Sequence, residues 1–190
     1  ERIIDAYARA FVVYWGEAER DPQRIVETTL NTRTFEAASQ WYGDVRLVRY
    51  VMPVEPQIEQ TSGAQFGDSI RLERYALSSD AILPGDALQV RLDWVTEAPL
   101  EQRYKVFVQL LDEAGQLVVQ HDSEPGGGQA LTSTWQPGVT VSDQHALIIP
   151  DDLSPAHYTL ILGLYAVDNA QQRLRAGDSD YLTLSEITVR

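Results

Sequence analysis

Leu88-Gln89-Val90-Arg91-Leu92-Asp93-Trp94-Val95 sets the fold class. Leu88, Val90, Leu92 and Trp94 alternate with Gln89, Arg91 and Asp93, and a two-residue period sends the first set to one face of a β-strand and the second to the other. A strand that is dry on one side and wet on the other belongs to an antiparallel sheet laid over a core. Two further runs extend the reading. Tyr104–Leu111 carries Val106, Val108 and Leu110 in one phase and Phe107 and Leu111 in the other. Tyr158–Tyr165 carries Tyr158, Leu160, Leu162 and Leu164, with Ile161 and Tyr165 between them. Both are apolar on two faces, so they are expected in the middle of sheets. These three strands form the expected core.

Shorter alternating runs lie around them: Ile70–Leu77, Leu117–His121, Ala146–Ile149, Gln172–Arg175 and Tyr181–Val189. Turn signals separate them, among them Pro84-Gly85-Asp86, Pro125-Gly126-Gly127-Gly128, Pro137-Gly138 and Asp168-Asn169. About eight strands at this spacing predict a mainly β fold, an antiparallel β-sandwich of immunoglobulin-like or jelly-roll type, over residues 67–190. Residues 1–55 read differently, as a small α/β lead-in. Ile3, Ile4, Tyr7, Ala8 and Phe11 have helical spacing, Phe11–Trp15 reads as a buried strand, and Asp21-Pro22 opens a helix with Ile25, Val26, Thr29 and Leu30 on its apolar face. Strands are expected at Thr34–Gln40 and Val45–Met52, with a turn at Trp41–Asp44. Residues 56–66, with little apolar periodicity, read as a linker. Gly43–Tyr50 resembles Gly67–Tyr75, which is read as one turn-plus-strand solution reached twice.

The formal net charge is -13, and it is uneven: residues 1–55 hold 7 basic and 9 acidic groups, residues 56–190 hold 8 and 19. The acidic field of residues 56–190, with Lys105 as the one lysine of the chain, repels phosphate backbones and anionic lipid, so nucleic acid is not expected as a partner. The absence of cysteine removes disulfides, thiolate nucleophiles and cysteine-ligated metals. No apolar run approaches the ~20 residues that cross a bilayer as a helix. The chain opens on Glu1 without a methionine and is read as a segment of a longer protein.

Nucleophilic catalysis needs a hydroxyl or thiol beside a base. His121, His145 and His157 are the imidazoles, but no G-x-S-x-G, H-E-x-x-H or P-loop spacing surrounds them, so each is read as an ordinary strand or turn residue. No catalytic residue is assigned. The acids are read as solvated loop groups, since accidental pairs are easy among 28 of them. Asp122-Ser123-Glu124-Pro125 and Asp151-Asp152 offer oxygen atoms of the kind that ligate Ca²⁺, yet neither matches the D-x-D-x-D-G loop, and turn capping is the expected role. No metal and no cofactor is assigned. Trp94 is in phase with the core. Trp135, beside Gln136-Pro137-Gly138, has two readings: a lid over one end of the core, which is preferred, or an open platform for a sugar ring. The candidate ligand-binding residues are accordingly Trp135, His121, Asp122 and Glu124.

The order Gly67-Asp68-Ser69-Ile70-Arg71-Leu72, Leu83-Pro84-Gly85-Asp86, Leu92-Asp93-Trp94, Tyr104–Asp112, Gln120–Pro125, Thr134–Gly138, Tyr158-Thr159-Leu160 and Gly163-Leu164-Tyr165 resembles a known region. It is similar to the C-terminal extracytoplasmic β-sandwich of bacterial membrane proteins of the protein O-mannosyltransferase type. Val12–Trp15, Asp21-Pro22 and Trp41–Leu47 resemble the piece that follows the last membrane helix there. Gln109 departs from the pattern, where a histidine is expected. The resemblance implies a non-catalytic domain outside the membrane, tethered through a membrane-embedded region of its own chain, with the acceptor-activating carboxylate elsewhere. Two functions stay open: binding of carbohydrate or an acceptor protein, and a purely structural or interaction role without sugar affinity.

Overall fold

The computed structural model describes residues 2–190. Within them run thirteen strands: β1 (Arg9–Tyr14), β2 (Phe35–Tyr42), β3 (Val45–Val51), β4 (Ile58–Phe66), β5 (Ile70–Leu77), β6 (Ala81–Ile82), β7 (Ala87–Thr96), β8 (Tyr104–Leu111), β9 (Leu117–Ser123), β10 (Val141–Ile148), β11 (Ala156–Ala166), β12 (Asn169–Arg173) and β13 (Leu182–Val189). Three short helices precede the sandwich: α1 (Arg2–Ala6), α2 (Glu17–Arg20) and α3 (Ile25–Arg33). Among the described residues the strands form a seven-stranded sheet ordered β1-β3-β2-β10-β7-β5-β4 and a six-stranded sheet ordered β6-β13-β11-β8-β9, with β12 on β11. The fold is a β-sandwich, as the alternation requires.

The core lies where the sequence puts it. Leu88, Val90, Leu92 and Trp94 of β7 face Val106, Val108 and Leu110 of β8 and Leu160, Leu162 and Leu164 of β11, all fully buried. Phe107, in the opposite phase of β8, is buried too: it sits across from Gly163 and stacks on Tyr165, while the Arg173 guanidinium lies 4.6 Å above its ring. The two similar segments, at Gly43 and at Gly67, are both hairpin turns leading into strands, β2 to β3 and β4 to β5.

Four expectations give way. Residues 56–66 are largely strand β4, an edge strand paired with β5; its weak alternation reflects an outer position and an irregularity between Thr61 and Ala64. The lead-in helix stops at Ala6 and the chain is already extended at Arg9, so Phe11 lies on β1, not on a helix; Glu1 is outside the described residues. Nor is β1 a buried strand, because Phe11 and Val13 are exposed and Tyr14 alone is buried. The helix after Asp21 begins four residues later, at Ile25. The Asp21 carboxylate still caps it, accepting the N–H groups of Ile25 and Val26 at 2.9 Å. Its buried residues are Glu27 and Asn31 rather than Ile25 and Val26.

The lead-in forms one end of the seven-stranded sheet, β1-β3-β2 with α1 and α3 on one face, around a small core of its own made by Tyr14, Val48, Tyr50 and Met52. It continues the larger sheet through a parallel seam between β2 and β10, where backbone pairing is confined to Glu36 and His145. The outer side of that seam is sealed by Phe35, Ala37, Val51 and Ala146. The inner side is polar.

Candidate functional site

Asp143 and His145 follow Val141 on β10 in the phase that ends in Leu147, so the alternation aims both into the protein. Both are fully buried. Across from them comes His121 from β9 of the other sheet, and beside them Glu36 of β2, Tyr50 of β3 and Asn31 of α3, all buried. The turn Pro125–Gly128, where Gly126 and Gly127 have positive φ, closes the cluster.

The hydrogen bonds run in series. Asp143 Oδ1 accepts the N–H groups of Gly126 and Gln144, each at 2.9 Å, and Oδ2 is 2.8 Å from His145 Nε2. Burial by itself pushes the Asp143 carboxyl up, but the adjacent imidazole and the two backbone donors outweigh it and hold the group below the ordinary carboxylate range. The two Nδ1 atoms stand 2.8 Å apart, so one imidazole donates to the other. His121 Nε2 lies 3.8 Å from Glu36 Oε1. Burial, with His145 alongside, lowers the His121 pKa from the usual imidazole value, against the pull of Glu36. On the far side, Tyr50 donates to Asn31 Oδ1 at 2.8 Å, and Tyr14 and Tyr50 share a contact at 3.1 Å. Asn31 Nδ2 faces the carbonyls of Gly126 and Gly127 at 3.5 and 3.4 Å. Beyond it, buried Glu27 pairs with Arg24 and Arg46.

The hydroxyls in its hydrogen-bond chain are the Tyr50 and Tyr14 phenols, which bond to Asn31 and to each other rather than to an imidazole. Among the described residues no three His, Asp or Glu side chains are placed to hold a metal ion. What the cluster does physically is bind the lead-in layer to the sandwich, with side chains taking the place of the missing ladder.

The sequence candidates are not brought together. His121 belongs to the buried cluster. Asp122 accepts from Tyr165 at 3.2 Å, and Glu124 forms a two-pronged pair with Arg103, its Nε at 2.7 Å. Trp135 is only 5% exposed; its Nε1 donates to the Ala130 carbonyl at 2.9 Å and its ring joins the main core. It is the lid, and offers no open face as a stacking platform. His157 sits at the surface against Glu186, 3.0 Å away. Sequence reading missed Asp143, Glu36 and Asn31 because polar residues in core phase break the apolar pattern that marks a strand. The available signal was Val141-x-Asp143-x-His145-x-Leu147, an unbroken two-residue period with two polar members.

Two surfaces remain. The outer face of the larger sheet has a shallow polar groove of about 500 Å³ lined by Glu59, Arg74, Arg91, Asp93 and Ser142. Its charges are already paired, Arg74 with Asp93 at 2.9 Å and Arg91 with Glu59 at 3.3 Å. The second surface is apolar. In register across the lead-in layer stand Phe11-Arg49-Ala38 and Val13-Leu47-Gln40, and Val45-Tyr42 closes the series at the hairpin, next to Trp15 at the end of β1. Phe11, Val13, Trp15, Trp41 and Tyr42 are 63, 64, 51, 61 and 55% exposed. Guanidinium groups lie over three of the rings: Arg49 over Phe11 at 5.3 Å, Arg20 over Trp15 at 4.5 Å and Arg46 over Trp41 at 5.6 Å.

No protein-family model and no curated protein matches the chain. Similar solved structures include a Niemann-Pick type C2 protein from the Japanese carpenter ant, at 6% identity and a TM-score of 0.44, covering 73% of this chain and 99% of that one. The C-terminal domain of wzt aligns at 14% identity and a TM-score of 0.37 over 72% of this chain and 80% of its own. The sporulation control protein Spo0M from Bacillus subtilis aligns at 13% and 0.36, over 64% and 49%. Likenesses at this level carry no argument about function.

Proposed function

We propose that this chain is a non-catalytic accessory domain that works by surface contact on the outer side of a membrane, as part of a glycosyltransferase-like membrane protein. One contrast carries the reading: the Asp143, His145 and His121 side chains are internal and bonded to one another, whereas the large exposed aromatics gather on the lead-in layer. An exposed cluster of that kind marks an interaction site more often than an accident of composition. Burial of Trp135 removes the aromatic platform that a sugar site would use, which favours the interaction role without sugar affinity. The polar groove around Arg91 and Asp93 supports the second reading, an acceptor protein or carbohydrate held by hydrogen bonds.

A photo-crosslinking amino acid placed at Val13, in the full-length protein in its native membrane, is expected to capture membrane-embedded protein or lipid. Backbone NMR titration with mono- and oligosaccharides is expected to leave Arg91 and Asp93 unmoved. Saturable shifts there, with no cross-link from residue 13, would replace the interaction reading with the carbohydrate one.

A further inference from the structure

The exposed aromatics form one end of the molecule rather than a flat plate. Trp41 and Tyr42 are neighbours on β2 and so project to opposite faces of the sheet, beside the hairpin turn at Gly43 and Asp44. Trp15 stands at the end of β1, whose Tyr14 is in register with Arg46, which in turn faces Trp41. The first turn of α3 lies at the same end, since its Glu27 pairs with Arg46, and it leaves Ile25 and Val26 exposed. Apolar side chains thus point outward around a tip, from both faces of the sheet and from a helix.

We propose that this tip enters the headgroup layer of a phospholipid bilayer; the inference rests on the surface-contact reading above and names its partner. Two observations favour lipid over a second protein. Side chains that diverge around a tip do not complement one rigid surface, but a fluid layer closes around them. The composition is Trp, Tyr and Phe with arginines stacked above, the pairing of flat amphipathic rings and cationic heads that concentrates at membrane interfaces. Charge agrees in direction: residues 1–55 hold 7 basic against 9 acidic groups, while the strongly acidic remainder holds 8 against 19. An orientation with the tip down keeps that acidic part away from anionic headgroups.

The test is flotation of the chain with phosphatidylcholine vesicles and with vesicles mixing phosphatidylcholine and phosphatidylglycerol, alongside Trp emission. Trp94 and Trp135 are buried, so a blue shift reports on Trp15 and Trp41. Binding to both vesicle types is expected, falling roughly tenfold for each of Trp15→Ser and Trp41→Ser. Leu117→Ser, at an equally exposed apolar position on the sandwich, is expected to bind as the parent does. These substitutions touch exposed side chains, and unchanged near-ultraviolet circular dichroism confirms the fold. Absence of flotation, with concentration-dependent self-association that the same Trp variants abolish, overturns the lipid assignment and keeps the contact reading with a second copy as partner. Absence of both overturns the lipid assignment and removes the support for surface contact at this end.

Discussion

Gly127→Ala is the substitution that best tests whether the buried cluster joins the two halves of the protein. Gly127 has φ +62°, so any side chain there carries a left-handed backbone cost of about 1–2 kcal/mol. Its Cβ would also stand 2.5 Å from Asn31 Nδ2, 2.9 Å from Asn31 Cγ and 3.2 Å from Glu36 Oε2. Asn31 cannot withdraw freely, because its Oδ1 holds the Tyr50 hydroxyl at 2.8 Å in a buried setting. Giving up that bond and stranding its partners costs about 1–3 kcal/mol more. The expected loss is about 2–5 kcal/mol in total. Gly43→Ala is the matched control, since Gly43 has φ +64° and nothing within 4 Å of an added Cβ; it should lose only the backbone part. Urea unfolding followed by circular dichroism gives both values from the midpoints and a common m. If Gly127→Ala proves no more destabilising than Gly43→Ala, Asn31 is not locked between Tyr50 and the glycine turn, and the cluster is not the joint.

Gly163→Ala places a Cβ 2.2 Å from Phe107 Cζ and 3.0 Å from the Asp180 carbonyl, and thermal unfolding should show it to be among the most damaging small substitutions, at about 3 kcal/mol or more. Acid should weaken the domain in two windows. Buried His121 takes up a proton less readily than an unfolded imidazole, which titrates near about 6.5; below that value the unfolded state binds more protons, and stability falls by up to about 1.4 kcal/mol per pH unit until the folded His121 titrates. Asp143, held low, adds its own loss only at more acidic pH, below the normal carboxylate range. Urea midpoints measured from about pH 7.5 to about pH 5 should fall more steeply for the parent than for His121→Phe, and equal slopes would contradict the assignment. Arg46→Ala leaves buried Glu27 with one cation fewer and should cost about 3 kcal/mol, whereas the double change Glu27→Leu, Arg46→Met should cost less in the same unfolding assay.

The sandwich was legible because its strands bury apolar side chains at every second position. The runs read at Ile70–Leu77 and Tyr104–Leu111 coincide with β5 and β8, and the β7 and β11 readings lie inside their strands. The alternation shows β10 only from Ala146, because Asp143 and His145 look like surface residues until the opposite sheet supplies His121. Strand β4 escaped for the converse reason: at an edge, half of its residues face water and no period is enforced. On α3 the apolar reading picked Ile25 and Val26, yet the helix turns Glu27 and Asn31 inward, since Arg46 and Tyr50 wait there as partners. Such polar pairing depends on residues far apart in sequence, and no local pattern encodes it. Trp135 was decidable as a lid from its place beside a tight turn, but Asp122 and Glu124 were not separable from ligand groups until Tyr165 and Arg103 were seen to occupy them.

The crossing segment between layer and sandwich has a mechanical meaning. Residues 52–57 are pinned by the Gln89 amide, whose Nε2 donates to the Met52 carbonyl at 2.8 Å while its Oε1 accepts the Val54 N–H at 3.1 Å, and the Met52 and Gln57 N–H groups donate to the carbonyls of Ala8 and Leu77. Tension applied through Arg9 and resisted by the sandwich meets almost no backbone zipper at Glu36 and His145. The seam therefore rests on side chains: His121 against Glu36, Asn31 against the Gly126–Gly127 carbonyls, and Arg9 on the Gly85 carbonyl are the contacts that must part before the layer can leave the sandwich.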